Sequence, residues 1–466
     1  MKIVRIMGTM ALAAVAMLSF NAQANNINAD NARMAASQFF KQHAASTISF
    51  KAPAVADIKL VHSEASNVEG NAYYVFNVQG GGWVIIAGDD RAKQVLAYNT
   101  EGSLNMNNLP ESTKSYLDKY KEQIEMLKAY KGKTEPLKAP KRITPVAPLL
   151  KSQNWSQHNP FYNQCVFNGQ YCSVGCAGLA MAQILNYWEY PKECDGLSGY
   201  SPSWSLSIPS LPATTFDYDK ILDTYLVWTE DGKLAWADGV TDENKDEVAK
   251  LCRYASQSCL MNFSPDGSGS NVTKQYNGFL SLGYDTNAKL VGIEAWPTRE
   301  TWNTWDYTDE EWTALMNAQL EAHHPIPYSS EDFTDGHSFV VDGVDADGLY
   351  HVSWGWNGRG DGWFQHGAFN VTVQGQSMEF NTSLFMVIDL CPYEGYVSPN
   401  DPGNGGETNV GDVNGDGNVN ISDVTLLIDY LLNQDGTGLD LIAGDCDGNG
   451  EINISDVTIL IDKLLN

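Results

Sequence analysis

Positive charge is scarce in this chain. Lysine and arginine number 29 against 57 aspartates and glutamates, a formal net charge of −28 over 466 residues. Nucleic acid and anionic membrane surfaces are therefore repelled and are not expected as partners. Cysteine is sparse too. The eight, Cys165, Cys172, Cys176, Cys194, Cys252, Cys259, Cys391 and Cys446, are too few for disulfides to be the main support of a chain this long. Beyond the N-terminus no apolar run reaches the roughly 20 residues that a bilayer span requires. What is present is the 43% hydrophobic content of a globular chain, long enough for about three folded units.

Residues 1–24 read as a signal peptide: Lys2 and Arg5 form the basic start, Met7 to Phe20 the apolar stretch, and Ala22-Gln-Ala24 the small-residue cleavage site. The expected product is exported, extracellular or attached to the cell surface. From Asn25 the pattern predicts a helix over Asp30 to His43, then two β-rich runs, Asn71 to Val78 and Trp83 to Gly88, around a glycine turn. Pro110 to Tyr130 carries Leu117, Tyr120, Ile124 and Leu127 at mostly helical spacing. Lys131 to Pro145, rich in lysine and proline, reads as an exposed connector open to cleavage. The expected units are 25–146, 147–392, a Pro/Gly/Asn-rich linker at 393–409, and 410–466.

Cys176 stands immediately before an apolar, small-residue run, Ala177 to Trp188, that reads as a buried helix. A helix starting there aims unpaired N–H groups and its positive dipole end at the sulfur, which favours thiolate over thiol. The small residues Gly178, Ala180 and Ala182 predict close approach to other backbone. By position alone Cys176 reads first as half of a disulfide, and the small-residue run after it is what turns the reading toward a nucleophile. As a nucleophile it needs a base and an oxyanion donor. His337, between Gly336 and a strand-like segment, is the candidate base, and Gln170, six residues before the cysteine, the candidate donor. His323, His324, His351 and His366 have no such context and read as structural.

Four motifs, Trp155-Ser-Gln-His-Asn-Pro-Phe-Tyr-Asn163, Gly175-Cys-Ala-Gly-Leu-Ala-Met-Ala-Gln183, Gly336-His-Ser-Phe-Val-Val-Asp-Gly343 and Tyr350-His-Val-Ser-Trp-Gly-Trp-Asn-Gly358, occur in the order seen in the streptopain family of papain-like cysteine peptidases. The resemblance implies an α+β, two-lobed papain-like fold over residues 147–392, with Cys176 as nucleophile, His337 as general base and acid, and Gln170 at the oxyanion position. The residue that orients the histidine falls sixteen places after it, on Ser353, where such enzymes usually carry asparagine. Either that hydroxyl holds the imidazole, or Trp354 and backbone groups do. Ser268 and Gly336 are implied substrate contacts, and residues 25–146 resemble the α+β prodomain of the same family. The activity so implied is a cysteine endopeptidase made as a zymogen, acting on proteins or peptides with no cofactor for catalysis. Ser353 also motivates an inactive or weak papain-like binding protein, and Cys–His chemistry admits an acyl transferase.

The last segment is a repeat. Asp412, Asn414, Asp416, Asn418, Asn420 and Asp423 recur 33 residues later as Asp445, Asp447, Asn449, Glu451, Asn453 and Asp456. Oxygen donors at loop positions 1, 3, 5, 9 and 12, a backbone carbonyl at 7 and glycine at 6 wrap one Ca²⁺, so two ions are expected. Aspartate at position 12, and no helix before the first loop, make the segment resemble a small all-α type-I dockerin, which implies a cohesin-type partner. From Gly411 to Asn466, ten Asp and one Glu face one Lys, and the loops repel themselves without cations. An isolated 408–466 fragment is therefore expected to lose its helical circular dichroism in EDTA and regain it with Ca²⁺, while the EDTA-treated full chain keeps its peptidase rate. A helical signal indifferent to EDTA would refute the coupling of ion binding to folding.

Overall fold

The structure, a computed structural model, describes residues 26–46, 52–130, 143–151, 153–203, 206–229, 233–293, 307, 309–331, 336–366, 372–373, 376–377, 383–393, 395–401, 411–414, 419–433, 439, 441–444, 446 and 452–465. The signal segment 1–24 and most of the connector lie outside these. Among the described residues no helix is long and apolar enough to cross a membrane.

The N-terminal unit is four antiparallel strands, Ile58–Ala65, Asn71–Val78, Trp83–Ala87 and Val95–Asn99, between two helices. Side chains alternate across a strand, and Asn71–Val78 uses both faces. Tyr74 and Phe76 meet Ala32, Ala36 and Phe40 of helix Ala29–Ser46. Tyr73 and Val75 point the other way, into the core that holds Leu117, Tyr120, Ile124 and Leu127 of helix Glu111–Ala129. Both helices and both strands fall where the hydrophobic period places them, with ends shifted by a few residues.

This small sheet does not stop at its own unit. Val95–Asn99 pairs with Gly362–Phe364, Trp363 opposite Tyr98 and Phe364 opposite Ala97. Beyond it run Tyr350–Ser353, Gly336–Val344, Ile326–Glu331, Ser383–Ile388 and Lys289–Ile293, so that ten strands form one sheet. Val146 bridges Val344, bringing the end of the connector onto the histidine-bearing strand. Tyr116 and Tyr120 of the second helix donate from their hydroxyls to the Gln365 carbonyl at 3.0 and 2.5 Å.

The other lobe is helical. Helix Cys176–Trp188 is buried from Ala177 onward and packs on Asp242–Ser258 and on the strand Gly336–Val344. Helix Asp242–Ser258 is opened by a reciprocal cap between Thr241 and Asn244. The predicted close approach falls at Gly178, where a Cβ would lie 2.1 Å from the Ser256 hydroxyl and 3.0 Å from its α-carbon.

The C-terminal segment has a core of its own: Val413, Val424, Leu427, Val457 and Leu460. Its helices run Ile421–Asn433 and Ile454–Leu465, each starting three residues before the apolar runs Val424–Leu432 and Val457–Leu465 that follow the loops in the sequence. The reason is capping. Asn420 accepts from the Ser422 N–H and gives its own N–H to Asp423; Asn453, Ser455 and Asp456 repeat the arrangement. Val424 and Val457 are buried in this core, while Leu431 is only partly buried and Leu464 is exposed.

Alanine normally stabilises a helix over glycine by about 1 kcal/mol. Gly178→Ala is expected to do the reverse, costing about 1–3 kcal/mol through overpacking against Ser256, as read by thermal or denaturant unfolding. A stability gain would refute the tight contact.

Candidate active site

The turn that presents Cys176 is built from glycine and two hydroxyls. Gly175 sits at φ 76°, and a Cβ there would lie 2.6 Å from Met261 Sδ and 2.9 Å from the Ser268 carbonyl. The Ser173 hydroxyl accepts the Gly175 N–H and donates to Gln157 Oε1, each at 3.1 Å. Val174 N–H donates to the Gln157 carbonyl, and the Ser256 hydroxyl donates to the Val174 carbonyl. Helix Cys176–Trp188 then begins with the cysteine itself.

Burial by itself raises the Cys176 thiol. The hydrogen bond and charge of His337, joined by backbone N–H groups of Ser338 and Ala177, overcome it and hold the thiol below its ordinary value. The contrast with Cys252 and Cys259 is direct: both are free thiols in the same lobe, and burial pushes them up, Cys259 to about 12. Of Cys165, Cys172, Cys176, Cys252 and Cys259, burial leaves all raised but Cys176, the one beside the imidazole.

His337 lies near the start of its strand, its ring roughly parallel to those of Phe339 and Trp356 at centroid distances of 6.2 and 6.3 Å. Its Nε2 stands 3.1 Å from the Trp354 carbonyl oxygen. A carbonyl only accepts, so Nε2 carries a proton, leaving Nδ1 to exchange one with the thiol. Trp354 is itself fixed: its ring is buried against Phe339 and Phe364, and its N–H donates to Asp361 Oδ1 at 2.9 Å. Burial raises the Asp361 carboxyl to about 7, against the opposing pull of the Trp354 N–H and of His351.

Three sequence expectations are corrected here. The Ser353 hydroxyl does not hold the imidazole; it accepts from Gln183 Nε2 at 3.0 Å, a buried bond tying the cysteine helix to the strand that ends beside Trp354. Of the two alternatives for orienting His337, the geometry favours the Trp354 carbonyl. Gln170 is exposed beside the tip of the hairpin Val166–Phe167/Gln170–Tyr171, while the glutamine tied to the approach to Cys176 is Gln157. Gln157 lies in the Trp155–Asn163 motif, nineteen residues before Cys176, and its side chain reaches the cysteine turn through Ser173. The Ser268 hydroxyl is turned inward, donating to the Ser173 carbonyl at 2.6 Å and accepting from Ser264 N–H. It braces the cysteine turn from behind. Gly336 is exposed at the start of the histidine strand, opposite Glu331. His351 and His323 are paired with Asp342 and Asp401, each at 2.6 Å, as structural histidines would be.

In the C-terminal segment Asp423 and Asp456, at position 12 of each loop, are fully buried and Asp412 nearly so. Among the described residues there is no group of three or more His, Cys, Asp or Glu placed to hold a metal. Asp416, Asn418, Asp445, Asp447, Asn449 and Glu451 lie outside the described residues.

The profile of the Peptidase C10 family matches residues 155–364, which include Cys176, His337 and Trp354. Residues 155–364 are a streptopain-like C10 cysteine peptidase domain. Streptopain of Streptococcus pyogenes serotype M1 is 28% identical over 375 residues, covering 75% of this chain and 87% of its own. The Thiol protease/hemagglutinin PrtT of Porphyromonas gingivalis is 25% identical, covering 73% of this chain and 39% of its own length. Among solved structures, a prointerpain A fragment of Prevotella intermedia superposes with a TM-score of 0.55 at 24% identity, spanning 70% of this chain and 97% of that one. That likeness concerns the fold, which is papain-like and α+β. Flanking the C10 domain, residues 24–124 match the Spi protease inhibitor family, as expected of a prodomain, and residues 410–465 the type I dockerin domain.

Gln183 and Ser353 share one buried hydrogen bond. Removing either partner strands the other, so Gln183→Ala and Ser353→Ala are each expected to cost about 1–3 kcal/mol, with the double variant costing clearly less than their sum. Denaturant unfolding measures this, and additive losses would contradict the pairing.

Proposed function

We propose that this is an exported cysteine endopeptidase made as a zymogen, with Cys176 as nucleophile, His337 as general base and acid, and a calcium-dependent docking module at its C-terminus. The observation that carries the reading is the Cys176–His337 contact, in which a partly buried thiol is held below its ordinary value by an imidazole whose other nitrogen is fixed on the Trp354 carbonyl. The thiolate attacks the scissile carbonyl, and negative charge develops on the oxygen. Backbone N–H groups at the start of helix Cys176–Trp188 are the donors proposed for it, with the Gln157 amide as a second candidate, and one such donor is worth about 10²–10³ in rate. His337 passes a proton to the leaving amine, then takes one from the water that hydrolyses the thioester.

The zymogen reading rests on the shared sheet, with Val95–Asn99 of the prodomain hydrogen-bonded to Gly362–Phe364 and Tyr116 edge-on to Trp354 at 5.5 Å. Cleavage in the connector, near residue 146, would free the mature domain. Calcium fits the tail: carboxylates buried as deeply as Asp423 and Asp456 require compensation, and hard oxygen donors suit Ca²⁺. Bound ions would supply that compensation. The dockerin domain would then attach the enzyme to a cohesin-type protein at the cell surface.

Cys176→Ala is expected to abolish hydrolysis of a protein substrate and to leave the purified chain at full length, since one thiolate performs both cleavages. Electrophoresis and N-terminal sequencing follow the second effect. Maturation of the pure alanine variant on its own would sink the self-processing reading.

A further inference from the structure

Trp354 carries a hydrogen bond on each side of its α-carbon. Its carbonyl oxygen faces His337 Nε2 at 3.1 Å, and its N–H donates to Asp361 Oδ1 at 2.9 Å. It also sits where the sheet stops supporting the backbone. The strand Tyr350–Ser353 ends one residue earlier, and its last register partner is Val340 opposite Ser353. Ring packing against Phe339 and Phe364 locates the indole but leaves the torsions on either side of the α-carbon to be set by whatever binds the peptide groups. The chain then loops back through Gly355, Gly358 and Gly360, all at φ between 72° and 78°, and this return brings the Asp361 carboxylate to the Trp354 N–H.

We propose that Asp361 is a positioning residue for the peptidase reaction: by holding the Trp354 N–H it fixes the carbonyl that orients His337 toward Cys176. This rests on the reading of Cys176 and His337 as the reacting pair. Asp361 replaces a ladder bond that the ended strand no longer provides. A carboxyl kept in surroundings that raise it to about 7, with His351 already committed to Asp342, is costly in isolation, and the Trp354 N–H is the partner that justifies it. In this chain the third group of the reacting set is thus a backbone carbonyl, and the side chain that makes it dependable stands one step further back.

The test uses the full chain as wild type, Asp361→Ala and Asp361→Asn. Alkylation of Cys176 by iodoacetamide is followed across pH by peptide mass spectrometry. Hydrolysis of a peptide substrate is then measured after each sample has been matured by the same trace of wild-type enzyme. Alanine removes the acceptor, and asparagine keeps an oxygen in its place. Misplacing a reacting group by a fraction of an ångström to 1 Å costs on the order of 10- to 100-fold. Asp361→Ala is therefore expected to lower kcat by about that factor with KM little changed, and to slow Cys176 alkylation near pH 6, where an ordinary thiol is unreactive. Asp361→Asn is expected to recover most of both. The proposal is overturned if the alanine variant alkylates and turns over like wild type, if it only melts earlier while its folded fraction keeps the wild-type alkylation profile, or if asparagine is as impaired as alanine. Should alanine prevent folding, the asparagine variant still decides by retention or loss. A wild type without alkylation near pH 6 would instead remove the Cys176–His337 reading itself.

Discussion

A thiol in the interior of a protein stays protonated unless something nearby makes the charge worth keeping. In this chain that something is one imidazole, and the arrangement of both lobes follows from the need to bring it to Cys176. The helical lobe supplies the cysteine at a helix start, turned out of the chain by a glycine that has no room for a side chain. The sheet lobe supplies His337 near the start of a strand whose interior is wholly buried. Between them run the Gln183–Ser353 bond and the packing of helix Cys176–Trp188 on that strand. Cys252 and Cys259, buried in the same lobe without an imidazole, show what Cys176 would be otherwise.

The same contact explains why the N-terminal unit is placed to matter. It joins the catalytic sheet by its strand Val95–Asn99, and the strand it joins, Gly362–Phe364, directly follows the return loop that carries Asp361. The Asn99 amide donates to the Asp361 carbonyl, and Tyr116 packs edge-on against the Trp354 ring. A prodomain built this way touches the groups that orient the histidine rather than merely covering a cleft. The C-terminal segment is organised on a different principle. Its small core is separate from the main one, and its acidic loops open helices through Asn–Ser–Asp caps that the same residues provide.

Period and motif carried the sequence reading a long way because they depend only on neighbours along the chain. Apolar spacing set out both prodomain helices and two of the four strands between them, small residues marked the close contact at Gly178, and the ordered motifs around Cys176 and His337 indicated a papain-like fold. Those features are local, or are repeated locally, so no distant segment needs to be known. Counting along the chain failed where the deciding partner comes from elsewhere. Gln170 has the expected spacing yet sits on an exposed hairpin, and Gln157 reaches the cysteine turn through Ser173. Ser353 has the expected offset from His337, but its hydroxyl is taken by Gln183.

What the sequence by itself determined is the composition of the molecule: an acidic, three-part chain with a cysteine at a helix start, a histidine at a strand start and a duplicated carboxylate loop. Tertiary structure alone decided which polar atoms meet. That Trp354 offers a carbonyl in place of an asparagine side chain, and that Asp361 holds it there, cannot be read from residue types, because every residue has a carbonyl. Which one faces an imidazole depends on where a strand ends and how a glycine-rich loop returns, and only the folded chain sets both.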